Sequence, residues 1–179
     1  FHPITDSTKT RFNTKSEVEK MSKSKYNVIN PDTVINEHGT DVFRMYEMFL
    51  GPLEQSKPWD TKGIEGVSKF LKRFWNLFFD ENGQFEINDE QPSEEGLKIL
   101  HKTIKKVGEE IEKFSFNTCV SALMIALNDI KKHQSTQRTI LEPMIILLSP
   151  FALFMSEELW HLMGHQCSVH KATWPKDSE

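Results

Sequence analysis

Lys20-Met21-Ser22-Lys23-Ser24 places two ammonium groups and two hydroxyls within five residues, and Lys25 follows as a further cation. Lysine ammonium groups are mobile point charges and serine hydroxyls are hydrogen-bond donors, so together they can hold the oxygens of a phosphate. A solvated lysine-serine loop or a phosphorylation site has the same composition, and the pentamer alone leaves these readings open. A second set of cations, Lys69, Lys72 and Arg73, repeats at helical spacing with Asn76. Such a stripe suits the phosphates of an RNA, and it also arises as an ordinary solvated helix face. Lys98, Lys102, Lys105 and Lys106 form a weaker set, because Glu109, Glu110 and Glu112 lie just beyond them. His161, His165, Cys167 and His170 invite a metal reading, but their spacing fits no zinc module. Gly164 is expected to end a helix between the first two histidines, so polar packing at a helix end is expected and no metal site.

Helices must position these groups. Asn30-Pro31-Asp32 predicts a helix start, with Asn as cap and Pro at the first helical position. That helix is expected to end near Gly39, with Thr40 capping the next one and Gly51-Pro52 stopping it. Val67, Phe70, Leu71, Phe74 and Phe78 predict an amphipathic helix from about Gly63 to Phe79. The acidic stretch that follows, with Gly83 and Pro92, reads as an exposed connection. Leu97, Leu100, Ile104, Val107, Ile111 and Phe114 alternate three and four apart, the seam of a helix packing on other helices. Asn117 is placed to cap the next helix, whose apolar positions include Val120, Leu123, Met124, Leu127 and Ile130. A nearly all-apolar helix follows from Thr139, and after Pro150 a last one runs to Gly164. The expected fold is an all-α helical bundle, preceded over residues 1–27 by an irregular segment with room for a short strand.

Composition narrows the classes without choosing among them. At 37% hydrophobic and 27% charged residues the chain is globular rather than disordered. Its longest apolar run, Met144 to Leu148, is far too short to span a bilayer. The net charge of −4 means that a polyanionic partner must use local basic faces. Two cysteines are too few for a disulfide framework and suit a reducing cytosol, so a cytoplasmic protein is expected. Phe1 is no initiator and the first ten residues lack a signal-peptide layout, so an excised fragment is expected. Cys119 reads as a small buried hydrophobe, and Trp59, Trp75, Trp160 and Trp174 read mainly as packing groups.

The pentamer matches the KMSKS motif of class I aminoacyl-tRNA synthetases at every position, and its continuation through Asn30-Pro31-Asp32 to His38-Gly39-Thr40-Asp41 and Arg44 resembles theirs. Met48-Phe49-Leu50-Gly51-Pro52-Leu53-Glu54, with Trp59, looks like the leucyl branch, as do Gly63-Ile64-Glu65-Gly66-Val67 and Phe116-Asn117-Thr118. So does Ser149-Pro150-Phe151 leading to Glu157-Glu158-Leu159-Trp160. The resemblance runs from about residue 17 to the end and leaves residues 1–16 unmatched. It implies an all-α bundle of the anticodon-binding type over residues 61–179, after a catalytic-side segment over 1–60. It also implies that Lys23, assisted by Lys20, binds the phosphates of ATP and stabilises charge as pyrophosphate leaves. Ser22 and Ser24 would donate hydrogen bonds and Met21 would anchor the loop near the adenine. The implied parent activates leucine with ATP, accompanied by Mg2+, and transfers it to tRNA(Leu); a monomer is expected, and the fragment alone is not expected to be active. The family's His-x-Gly-His turn is absent, since His161-Leu162-Met163-Gly164-His165 is one residue too long and follows the loop. Two rival readings remain at this point. One is a free-standing RNA-binding module, and the other a protein-interaction domain docking through the Leu97–Phe114 seam.

Overall fold

The computed structural model describes residues 17–177; the preceding stretch, with Lys9, Arg11 and Lys15, lies outside the described residues. The chain divides into two compact units, residues 1–30 and residues 31–179. The described part of the first unit is irregular apart from a 3-10 helix, Lys23–Lys25.

The second unit is built from seven described helices. α1 (Pro31–His38) begins at the proline, whose fixed φ suits a first helical turn. Gly39, at φ 91°, turns the chain into α2 (Thr40–Phe49). That left-handed angle is easy for glycine and strained for other residues. Gly39 therefore takes the N-cap position expected of Thr40, which is instead the first helical residue. α2 buries Val42, Met45 and Tyr46. α3 (Thr61–Trp75) starts under Asp60, whose side chain accepts from the Lys62 amide at 3.0 Å. Ile64, Val67, Phe70, Leu71 and Phe74 form its buried face, as their spacing requires.

α3 stops at Trp75, short of the expected Phe79, because the chain turns into a small cross-linked loop. Phe79 and Phe85 form an antiparallel bridge around Gly83, which sits at φ 75°. The Asp80 carboxylate accepts from the amides of Asn82 and Gln84, at 2.9 and 2.7 Å. Trp75 stacks on Phe79 with ring centroids 4.8 Å apart. The acidic connection is thus an ordered structure, bridged again through Asn88 to Gln137.

Ser93 caps α4 (Glu94–Glu112) by accepting from the Gly96 amide at 3.1 Å. The buried face of α4 carries Ile99, Leu100, Thr103, Ile104, Val107 and Glu110. The expected seam holds through Leu100, Ile104, Val107 and the part-buried Ile111, but not at its ends: Leu97 and Phe114 are exposed, the latter because the helix ends at Glu112. α5 (Phe116–Lys132) packs along α4 and buries Val120, Leu123, Leu127 and Ile130. Met124 is half-buried, and Asn117 lies inside the first turn with Ser115 at the N-cap position, so Asn117 is not the cap. α6 (Arg138–Leu148) is the central helix, with Ile140, Leu141, Met144, Ile145, Leu147 and Leu148 all inaccessible. α7 (Leu153–Leu162) closes the bundle, followed by a 3-10 turn, Val169–Lys171, fastened by Glu157. The middle of the α4 seam is covered by neighbouring helices, which removes the docking face required by the protein-interaction reading. No described helix is long and apolar enough to cross a membrane.

Candidate functional site

The backbone of the Lys20–Ser24 segment is shaped by a side chain just beyond it. Asn27 Oδ1 accepts from the Ser22 amide at 2.7 Å, while its Nδ2 donates to the Lys20 carbonyl at 3.4 Å. This closes the segment into a loop. Inside it the Lys25 amide donates to the Ser22 carbonyl at 3.0 Å, the first bond of the 3-10 turn. Tyr26, at φ 52°, ends that turn and is almost fully exposed. The Ser22 and Ser24 hydroxyls lie 2.8 Å apart on one side of the loop. Sequence reasoning gave Asn27 no role. Its signal was an Asn immediately after a turn-forming run, where the amide bonds nearby backbone readily.

The three lysines of the loop differ in how they are used. Lys25 is 2.8 Å from Glu19 and so is internally paired. Lys20 and Lys23 are exposed, and among the described residues neither meets a carboxylate. Among the described residues the loop thus presents two unneutralised ammonium groups and two adjacent hydroxyls on a backbone tied at both ends. Such an arrangement can take a multiply charged phosphate, the lysines supplying charge and the serines directed hydrogen bonds. Met21 is part-exposed beside them.

The basic stripe of α3 is less uniform than its spacing suggests. Lys69, Lys72 and Arg73 are all exposed. Arg73 Nη2 donates to Asn128 Oδ1 of α5 at 2.7 Å, and Lys69 lies 3.9 Å from Glu65. Lys72 has no ion-pair partner among the described residues and borders a cleft with Ser68, Thr40 and Phe154. On α4, Lys98 pairs with Glu94 at 2.8 Å and Lys106 with Glu110 at 3.1 Å. Glu110 also meets Lys113 at 3.2 Å, and hydrogen bonds from Lys106 and Lys113 hold its carboxyl below the usual range.

The histidine cluster is dispersed among separate contacts. His165 stacks on Trp160 with ring centroids 3.6 Å apart, and its Nε2 lies 3.3 Å from Glu142. His161 lies 3.2 Å from Glu157, and Cys167 is exposed. Cys119 is buried, with its thiol 3.7 Å from the Val107 carbonyl.

Comparisons with known proteins bear on both halves of the chain. Residues 94–179 match the family described as the anticodon-binding domain of tRNA ligase. Residues 3–59 match tRNA synthetases class I (I, L, M and V), so the likeness extends upstream of residue 17, where the sequence resemblance stopped. The leucine–tRNA ligase of Cytophaga hutchinsonii is 62% identical over 160 residues, covering 89% of this chain and 17% of the relative. That of Parabacteroides distasonis is 54% identical over 162 residues, covering 90% and 17%. Among solved structures, the agnB2 LeuRS of Agrobacterium radiobacter K84, in a ternary complex with tRNA and LeuAMS, matches with a TM-score of 0.74. It is 28% identical, and the match covers 88% of this chain and 22% of that one. The chain spans about 17% of the length of the curated relatives it matches.

Proposed function

This chain belongs to the leucine–tRNA ligase family, and we propose that it is the segment of such an enzyme supplying the KMSKS loop and the tRNA-binding helical bundle. The observation that carries this reading is the pair Lys20 and Lys23, unneutralised among the described residues on a loop whose backbone Asn27 holds closed.

In the proposed reaction a leucine carboxylate oxygen attacks the α-phosphate of ATP, and the bond to the bridging oxygen breaks as pyrophosphate leaves. Lys23 stabilises the negative charge that grows on the departing phosphates, Lys20 assists, and the Ser22 and Ser24 hydroxyls direct the phosphate oxygens. Met21 packs near the adenine. The leucyl group then passes to the terminal ribose of tRNA(Leu), with release of AMP. The ammonium groups suit phosphate oxygens and repel a divalent cation, so Mg2+ accompanies the nucleotide rather than being held by this loop. The leucine pocket, the editing domain and the second ATP-binding motif are assigned to the rest of the full-length enzyme, and catalysis is a property of that whole.

Residues 1–60 are assigned to the catalytic side and residues 61–179 to holding the tRNA body. The contacts on tRNA are to phosphates and shape rather than to bases, with Lys69, Lys72 and Arg73 as the candidate residues. Two unlinked cysteines, one of them buried, suit a reducing cytosol, and the enzyme is assigned there as a monomer.

The test is amino-acid-dependent ATP–pyrophosphate exchange by the full-length protein, with and without Lys23→Ala. Leucine alone should support exchange, and the substitution should lower it about a hundredfold or more. Exchange with valine or isoleucine would overturn the leucine assignment, and unchanged exchange in Lys23→Ala would overturn the role of the loop.

A further inference from the structure

α7 lacks a cap of its own. Its N-cap residue is Ala152, which has no side-chain oxygen to take the amides of the first turn. Those amides are taken from elsewhere in the chain. Asp41, in the first turn of α2, accepts from the Met155 amide through Oδ2 at 2.7 Å and from the Phe154 amide through Oδ1 at 3.2 Å. A serine, threonine, asparagine or aspartate at the N-cap position would do the capping locally. Here a carboxylate more than a hundred residues away does it, and so joins two helices while capping one.

The two ends of this bond lie in different functional stretches. Asp41 falls within residues 3–59, matched to class I tRNA synthetases, and α7 falls within residues 94–179, matched to the anticodon-binding domain. α2 also packs on α5 and α7, with Met45 and Tyr46 fully buried. Apolar packing is non-directional, whereas two charge-assisted hydrogen bonds to consecutive amides fix an orientation.

We propose that Asp41 is a positioning residue for aminoacyl transfer, holding α2 in a set orientation on the helical bundle so that bundle-bound tRNA is correctly presented. This rests on the functional reading above. Leucine activation needs no tRNA, so it is indifferent to that orientation, whereas the transfer step depends on it. Coupling between two sites commonly amounts to about 5-fold to 150-fold.

The test uses the full-length enzyme and measures leucine-dependent pyrophosphate exchange, tRNA(Leu) charging and thermal stability together. In Asp41→Ala, exchange should stay at the unsubstituted level while kcat/KM for tRNA in charging falls about fivefold or more. Asp41→Asn, which keeps one acceptor oxygen, should fall in between. A purely structural cap is distinguished by adding Ala152→Ser, which gives α7 a local cap without restoring the link to α2. The double variant should regain Tm but not charging. The proposal is overturned if charging in Asp41→Ala equals that of the unsubstituted enzyme, if exchange falls in proportion to charging, or if Ala152→Ser restores charging. Should the buried Ala152 site not accept serine, the split between charging and exchange in Asp41→Asn decides the question. Absence of leucine-dependent exchange in the unsubstituted enzyme overturns the functional reading itself.

Discussion

Burial pushes the Cys119 thiol up to about 11, and the Glu110 carboxylate nearby adds to the rise. A thiol kept protonated is a poor nucleophile. At pH 8 the native chain should therefore react with iodoacetamide at the exposed Cys167 and spare Cys119, which should become reactive on unfolding. Rapid labelling of both in the native state would contradict the burial. The same shift has a consequence for stability, because the folded state holds this proton more tightly than the unfolded one. As pH rises above about 9 the unfolded chain releases the proton first, so stability should fall between about 9 and about 11. Tyr46 is a second residue whose surroundings matter more than its type. Its hydroxyl donates to the Asp60 carbonyl and accepts from the Asp60 amide, pinning the start of α3. Gly63 makes room for it, since a Cβ there would lie 3.0 Å from the tyrosine ring. Tyr46→Phe should lower unfolding free energy by about 1–2 kcal/mol in urea denaturation, with the midpoint moving and the slope unchanged. The burial of Cys119 was legible from its place in the apolar repeat of α5. The Tyr46–Asp60 contact was not, because nothing local in either segment names its partner.

Helices announce themselves through their own residues, and this explains which elements could be read. Pro31 marks a start, Gly51-Pro52 a stop, and the three-four repeat of α3 to α5 a buried face. The misplaced features were caps and ends. Thr40 and Asn117 are good capping types, but Gly39 and Ser115 occupy those positions, and neither site carries a side-chain cap bond. Capping depends on where the backbone leaves the helix, which the residue type only biases. The stretch after α3 was read as an excursion because its order comes from remote partners. Arg138, at the start of α6, reaches Asp89 at 2.6 Å and the Met163 carbonyl at 3.0 Å, while its amide donates to the Asn88 carbonyl. One side chain thus ties the acidic loop to the beginning of α6 and the end of α7, where a cation also meets the last carbonyls favourably. Arg138→Ala should destabilise the chain by about 1–3 kcal/mol and raise hydrogen exchange across residues 80–92 more than within α4. A uniform rise, or none, would show that the loop is held by its own Asp80 turn instead.

At the scale of the whole molecule, the proposed function asks a chain of net charge −4 to bring part of its surface to a polyanion, so which cations are available matters more than how many there are. The pentamer was legible because its chemistry is packed into five consecutive residues. The surface proposed to face RNA was only partly legible, because a helical repeat of cations does not reveal which already face internal carboxylates. Arg73 gives one hydrogen bond to the neutral Asn128 and keeps its charge, while Lys69 lies near Glu65, which leaves Lys72 and Arg73 the charges of the α3 stripe without a carboxylate partner among the described residues. A lysine that replaces counterions on a phosphate contributes about one unit to the salt dependence of binding, and its loss removes that unit. For tRNA(Leu) binding by the full-length enzyme, Lys72→Ala should therefore flatten the plot of log affinity against log salt by about one unit. Lys69→Ala should change it less, since part of that charge already faces a carboxylate. Arg73→Ala should flatten the slope by a similar amount and, unlike Lys72→Ala, also lower stability by loosening the α3–α5 contact. Equal slopes for the unsubstituted enzyme and Lys72→Ala would place the phosphate contacts elsewhere. The remaining candidate face is then α4, where Lys102 and Lys105 stand exposed between the paired Lys98 and Lys106.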